Sequence, residues 1–228
     1  MGIHERKERE REQRKKTILD CSMRIFMHKG IATATMDEIA ECAELSKATL
    51  YLYFKSKDEI VFQAIGCVIE NFTAYIENEY AGANSVQEKM RGIGEAYLRF
   101  YRENYGQYVL FNSQDSATHV DYSKYEFYSE VLQKSNRLWQ LICEPIIEAV
   151  QAGYLRADTN AIELALTLWG ASNGILNLMS HVDSTHRKED FAGYIEQDSY
   201  LAQMSTLDYE KMLRNLWEAA ISQYRAIN

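Results

Sequence analysis

A single proline, Pro145, interrupts 228 residues, so nearly the whole chain is free to run as helix. The cysteines, Cys21, Cys42, Cys67 and Cys143, are scattered without a C-x-x-C pair. They are expected to be reduced fillers rather than parts of a disulfide framework or thiolate metal site. His181 and His186 stand five residues apart in a stretch expected to be a loop, without a second ligand pair at helical spacing, so a solvated loop is preferred to a metal site. No cofactor is expected. No apolar run reaches the roughly 18 residues of a membrane span, and the N-terminus is a mixed Arg/Glu segment without an apolar signal core, so a cytoplasmic protein is expected. Paired metal motifs and glycine-rich phosphate loops are also missing, which leaves a helical enzyme, with Glu95 or Glu103 as base, as a rival without a metal or phosphate-binding motif.

What is present is 46% hydrophobic residues and an uneven charge. The net charge of −8 divides into 12 Lys/Arg against 9 Asp/Glu over residues 1–57, and 13 against 24 over residues 58–228. The cationic end suits a polyanion, while the acidic remainder favours solubility and discourages indiscriminate adhesion to DNA. A boundary near 57/58 separates an N-terminal arm and head (1–57) from a larger helical domain (58–228).

Apolar spacing predicts an all-α fold. Glu5 to Lys16 alternates Arg/Lys with Glu, as a solvated helix start or a flexible basic arm would, the helix being preferred. Ile18, Cys21, Met23, Ile25 and Phe26 then form the inner face of a first helix ending at Lys29-Gly30. Thr35 and Glu38 make a capping box for a short second helix with Met36, Ile39, Ala40 and Ala43 inside. Ser46 caps a third helix, with Leu50 and Phe54 inward and Lys47, Ala48, Thr49, Leu52 and Tyr53 outward. Two short helices around a tight turn, with hydroxyl and basic side chains outward on the second, are expected to complete a three-helix helix-turn-helix head that reads duplex DNA, although short amphipathic helix pairs also occur in proteins that do not bind it.

Ser56 and Glu59 cap a long helix carrying Ile60, Val61, Ala64, Ile65, Val68, Ile69, Phe72 and Ile76. Further helices follow from Ser85, over Gly106 to Ser113, from Ser123 to Val150 with Pro145 inside, from Ala161 to Met179, and from Tyr209 to Tyr224. Tyr97, Phe100, Tyr101, Tyr105, Tyr108, Phe111, Tyr125, Tyr128 and Trp139 cluster in consecutive helices, with Trp169 and Asn173 facing them. Sixteen tyrosines exceed what core filling calls for, because each buried hydroxyl wants a partner. Tyr97, Tyr101, Tyr105, Tyr108, Phe111, Tyr128, Trp139, Trp169 and Asn173 are therefore the candidate lining for a planar, apolar or cationic small molecule. Leu168, Ser172, Ile175 and Met179, with Leu213, Leu216, Trp217 and Ala220, are the candidate dimerisation residues, pairing with their symmetry mates as a four-helix bundle.

The pattern through Phe26 and Gly30, then Thr35-Met36-Asp37-Glu38-Ile39-Ala40, then Leu45-Ser46-Lys47-Ala48-Thr49-Leu50-Tyr51-Leu52-Tyr53-Phe54-Lys55-Ser56-Lys57-Asp58-Glu59, resembles the TetR family of transcriptional regulators, closely over residues 12–72. The resemblance implies a homodimer that binds a roughly palindromic operator in double-stranded DNA, and a helical C-terminal domain for an effector that lowers operator affinity, usually in repression. Ser46, Lys47, Thr49, Tyr51 and Tyr53 match the family's DNA-contacting positions, and Thr35 and Lys57 its phosphate clamps at helix N-termini. Tyr51 is equally readable as a core ring. Glu44 occupies a turn position where the family usually has glycine, and Leu52 one where an aromatic is common. A helical protein-binding adaptor without DNA affinity is the remaining rival.

Overall fold

The computed structural model describes residues 2–112, 121–185 and 207–225. The described helices are α1 (Ile3–Lys29), α2 (Met36–Cys42), α3 (Lys47–Tyr53), α4 (Lys57–Ala81), α5 (Val86–Glu103), α6 (Tyr105–Asn112), a 3-10 turn at Tyr122–Lys124, α7 (Tyr128–Gln151), α8 (Ala161–Thr185) and α9 (Tyr209–Gln223). No strand occurs among the described residues; an isolated antiparallel bridge joins Leu155 and Arg225. The fold is all-α.

Most boundaries follow from capping. Pro145 lies inside α7, and the helix starts at Tyr128 rather than near Ser123, because residues 122–124 form the separate 3-10 turn. The backbone of α8 continues to Thr185, past the boundary expected at Met179. His181 thus lies on helical backbone instead of a loop; its side chain and residue 186 fall outside the described residues. By length and composition α4 could cross a bilayer, but its apolar residues Ile60, Ala64, Ile65, Val68, Ile69, Phe72 and Ile76 are buried within the protein.

The chain forms two compact units, one of Met1–Thr73 with Glu103–Leu138, the other of Ala74–Arg102 with Trp139–Asn228. In the first, Ile18, Phe26, Ile39, Ala40, Leu50, Phe54 and Ile60 are buried. The Phe54 ring meets Phe127 at 5.7 Å between centroids, and the Lys15 ammonium lies 4.6 Å from the Phe127 centroid, an arrangement that buries apolar surface and uses the ring's negative face. Gly66 is small of necessity, since a Cβ there would stand 2.8 Å from Val131 Cγ2.

In the second unit, α8 packs on α9. The Trp217 indole N–H donates to Ser172 Oγ at 3.2 Å, and a Cβ on Gly94 would stand 3.1 Å from that ring. Arg214 forms a two-pronged pair with Glu95 at 2.5 and 3.0 Å. Both oxygens of the Glu95 carboxylate are thereby engaged.

This packing corrects part of the dimer expectation. Leu168, Ser172, Leu213 and Trp217 are buried inside the subunit, while Ile175, Met179, Leu216 and Ala220 are half-buried. Among its described side chains, α8 leaves the apolar Ile162, Leu166, Trp169 and Leu178 exposed. A helix apolar on several sides does not reveal by periodicity which face its own chain covers.

Candidate nucleic-acid interface

Local hydrogen bonds fix the helix pair at the N-terminal end. Thr35 Oγ1 accepts from the Glu38 amide at 3.3 Å, and the Glu38 carboxylate accepts from the Thr35 amide at 3.0 Å and hydroxyl at 2.8 Å. These reciprocal bonds satisfy amides left open at a helix start. Lys29 Nζ also donates to Glu38 at 2.5 Å. That ammonium first, then Thr35, holds the Glu38 carboxyl down at about 2.

The turn between α2 and α3 passes through Glu44 at φ 55°, a left-handed conformation that costs a side-chain-bearing residue on the order of 1–2 kcal/mol. The next amide, that of Leu45, donates to Ala40 O at 2.8 Å, closing the turn. Ser46 Oγ accepts from the Thr49 amide at 3.1 Å and lies 2.7 Å from Thr49 Oγ1, so both hydroxyls help start α3.

Leu50 and Phe54 are fully buried, which turns the rest of α3 outward. Ser46, Lys47 and Ala48 are exposed, and Thr49 and Tyr53 are half-buried. Tyr51 is 38% and Leu52 72% exposed, so the Tyr51 ring belongs to the surface and not the core. The helix presents hydroxyl, ammonium, phenol and aliphatic groups together, the set that meets phosphate oxygens, base edges and thymine methyls in a major groove.

Two charges are placed differently from the expectation. The Lys57 ammonium donates to the carbonyl oxygens of Ile31, Ala32 and Ala34 at 2.8, 3.1 and 3.0 Å. All three of its N–H bonds are thereby used inside the head, and it is not displayed to a phosphate. The loop between α1 and α2 leaves those carbonyls unpaired by helix, and a lysine reaching back satisfies them. Nothing in linear spacing signals a bond across 23–26 residues. Lys47 is outward, but its ammonium is paired with Asp37 of α2, and this partner raises its pKa. The sequence reading overlooked Asp37, although the helix-turn-helix crossing brings residues ten apart together.

The ring residues expected to line one cavity divide between the two units. Tyr105, Tyr108, Phe111 and Tyr128 fall in the first; Tyr97, Tyr101, Trp139, Trp169 and Asn173 fall in the second. Within the first, Tyr105 and Tyr108 stack at 6.3 Å, and Phe62 stacks on Tyr128 at 6.2 Å, a participant absent from the expected set. Burial pushes the Tyr108 phenol up to about 12. Within the second, the buried Tyr97 donates its hydroxyl to Asn173 Oδ1. Tyr105 and Trp169 are exposed and correct the expectation of enclosed rings at those positions, because helical spacing alone assigns a face but not what covers it.

Residues 18–64 match the family described as bacterial regulatory proteins, tetR family. The chain is similar to the transcriptional activator FasR of Mycolicibacterium smegmatis, 27% identical over 108 residues that cover 47% of this chain and 49% of that one. It is similar also to the transcriptional repressor KstR2 of the same species, 25% identical over 150 residues, 64% of this chain and 69% of that one. The match thus spans about half the length of FasR. Among solved structures, the fatty acid degradation regulator FadR of Bacillus halodurans shares the fold at a TM-score of 0.60 and 14% identity, over 91% of this chain and 94% of that one. The matched segment is the one that carries the capped helix pair and the outward face of α3, and over residues 18–64 the chain has the N-terminal domain of the tetR family of bacterial regulatory proteins.

Proposed function

We propose that this protein is a homodimeric, sequence-specific repressor of transcription that a small molecule releases from its operator. The observation that carries the reading is the face of α3, where Ser46, Lys47, Ala48, Thr49, Tyr51, Leu52 and Tyr53 surround the buried anchors Leu50 and Phe54. Thr35 adds a helix N-terminus for a phosphate oxygen. The proposed dimer forms through the outward side of α8, where Ile162, Leu166 and Trp169 form an apolar stripe that a second copy would remove from water. Two heads about 34–36 Å apart would meet successive major grooves of a roughly palindromic site.

The effector is proposed to bind among the aromatic residues of the helical domain and to favour a head separation unfit for DNA. A coupling of about 1–3 kcal/mol would weaken operator binding roughly 5- to 150-fold. Relatives include both an activator and a repressor, so the sign of regulation belongs to the test.

The experiment is to capture genomic fragments on the purified protein, sequence them, and repeat the capture with Lys47→Ala and with Tyr53→Phe, which keeps the packing ring. Enriched palindromes lost in the Lys47→Ala variant support the proposal. Absence of salt-dependent retention favours the adaptor, since about 6–10 phosphate contacts would cut affinity some 10³- to 10⁵-fold between 50 and 200 mM salt. A reporter driven by the captured fragment then gives the sign.

A further inference from the structure

The start of α1 forms more helix than the head needs. Burial in α1 begins at Ile18, yet the helix starts at Ile3, so residues 3–16 extend it by about 20 Å at 1.5 Å per residue. This extension has no apolar face; ion pairs of Arg6 with Glu10 at 2.9 Å and Lys15 with Glu12 at 3.0 Å run along it. A helix polar all round buries little to hold it.

Its cations are sorted by face. Lys7, Arg11 and Arg14 recur at i, i+4 and i+7 and line a cleft of about 690 Å³ whose opposite wall is Thr49, Leu52 and Tyr53 of α3. Glu10 also lines the cleft, but its carboxylate is paired with Arg6. Arg11 reaches Glu126 only at 3.9 Å. Among the described residues, neither Lys7 nor Arg14 has a carboxylate at ion-pair distance.

We infer that this stripe is a second DNA-contacting surface: Lys7, Arg11 and Arg14 track the phosphate backbone beside the groove into which α3 inserts. The inference rests on the DNA-binding reading above and extends it from the recognition helix to the α1 extension. A cleft with the reading helix as one wall and three cations at successive turns as the other suits a continuous polyanion, whose charges recur along its length. Contacts of this kind add affinity and orientation without reading bases.

The test uses the full chain and two fluorescent duplexes, a captured genomic fragment and a random sequence of equal length. Affinity is measured against salt for wild type, for Lys7→Gln/Arg11→Gln/Arg14→Gln, and for Arg9→Gln/Lys16→Gln on the other side of α1, with helix content followed by circular dichroism. The triple variant is expected to keep its helicity, to lose affinity for both duplexes alike, and to flatten the log–log salt slope by about 0.9 per cation removed. The double variant should change the slope less. Equal slopes for wild type and triple variant, or equal losses in the two variants, overturn the inference while leaving α3 as the DNA reader. Failure of the wild type to bind either duplex overturns the DNA-binding reading itself.

Discussion

Lys47 and Asp37 face each other across the helix-turn-helix, with Nζ 2.7 Å from Oδ1 and 3.1 Å from Oδ2. The cation proposed to meet DNA is thus held by a carboxylate of the neighbouring helix. Both side chains are well exposed, so water screens the pair and it adds little to folding stability. A phosphate competes with Asp37 for the same ammonium.

Asp37→Asn should therefore tighten binding to captured DNA at fixed salt, by up to about fivefold, with little change in folding stability. The variant releases Lys47 and removes a negative charge beside the duplex. Weaker binding would mean that Asp37 instead orients Lys47 for its contact.

Lys57→Met should destabilise the head by about 1–3 kcal/mol in urea unfolding, because the carbonyls of Ile31, Ala32 and Ala34 lose their donor while the aliphatic stem is retained. Unchanged stability with a flatter salt slope would return Lys57 to the phosphate contacts.

Ser172→Ala should lower the melting temperature of the helical domain, since the Trp217 indole N–H loses its acceptor in a buried site, at a cost of about 1–3 kcal/mol. Sedimentation should show the association state unchanged. Dissociation of a dimer without loss of subunit stability would place Ser172 at the interface after all.

Glu38 supplies a pH dependence with a definite sign. Its carboxyl lies at about 2, below the ordinary 4.5, through Lys29 first and Thr35 second. A depressed folded-state pKa stabilises the head at pH above the ordinary value, and the contribution fades as pH falls from 4.5 towards 2. The stability difference between wild type and Glu38→Gln should accordingly shrink across that window in parallel denaturant titrations. A constant difference would assign the effect to hydrogen-bond geometry rather than charge.

The head was legible because its determinants are local. Thr35 with Glu38, and Ser46 before an apolar i, i+4 pair, specify helix starts within a few residues. Leu50 and Phe54 then dictate which side of α3 faces water. Lys57 escaped because its partners lie on another loop, and at the α1 extension the helix was preferred over an arm although alternating charges fit both.

Sequence alone determined the all-helical fold and the outward chemistry of α3, since helix period, caps and the scarcity of proline act over one or two turns. Tertiary structure decided the placements that depend on distant chain: Lys57 turned onto the carbonyls of Ile31, Ala32 and Ala34, Trp217 bonded to Ser172, and Lys7, Arg11 and Arg14 set opposite Thr49 and Leu52. Periodicity assigns a residue to a face of its own helix, whereas only packing determines whether that face meets protein, water or another molecule.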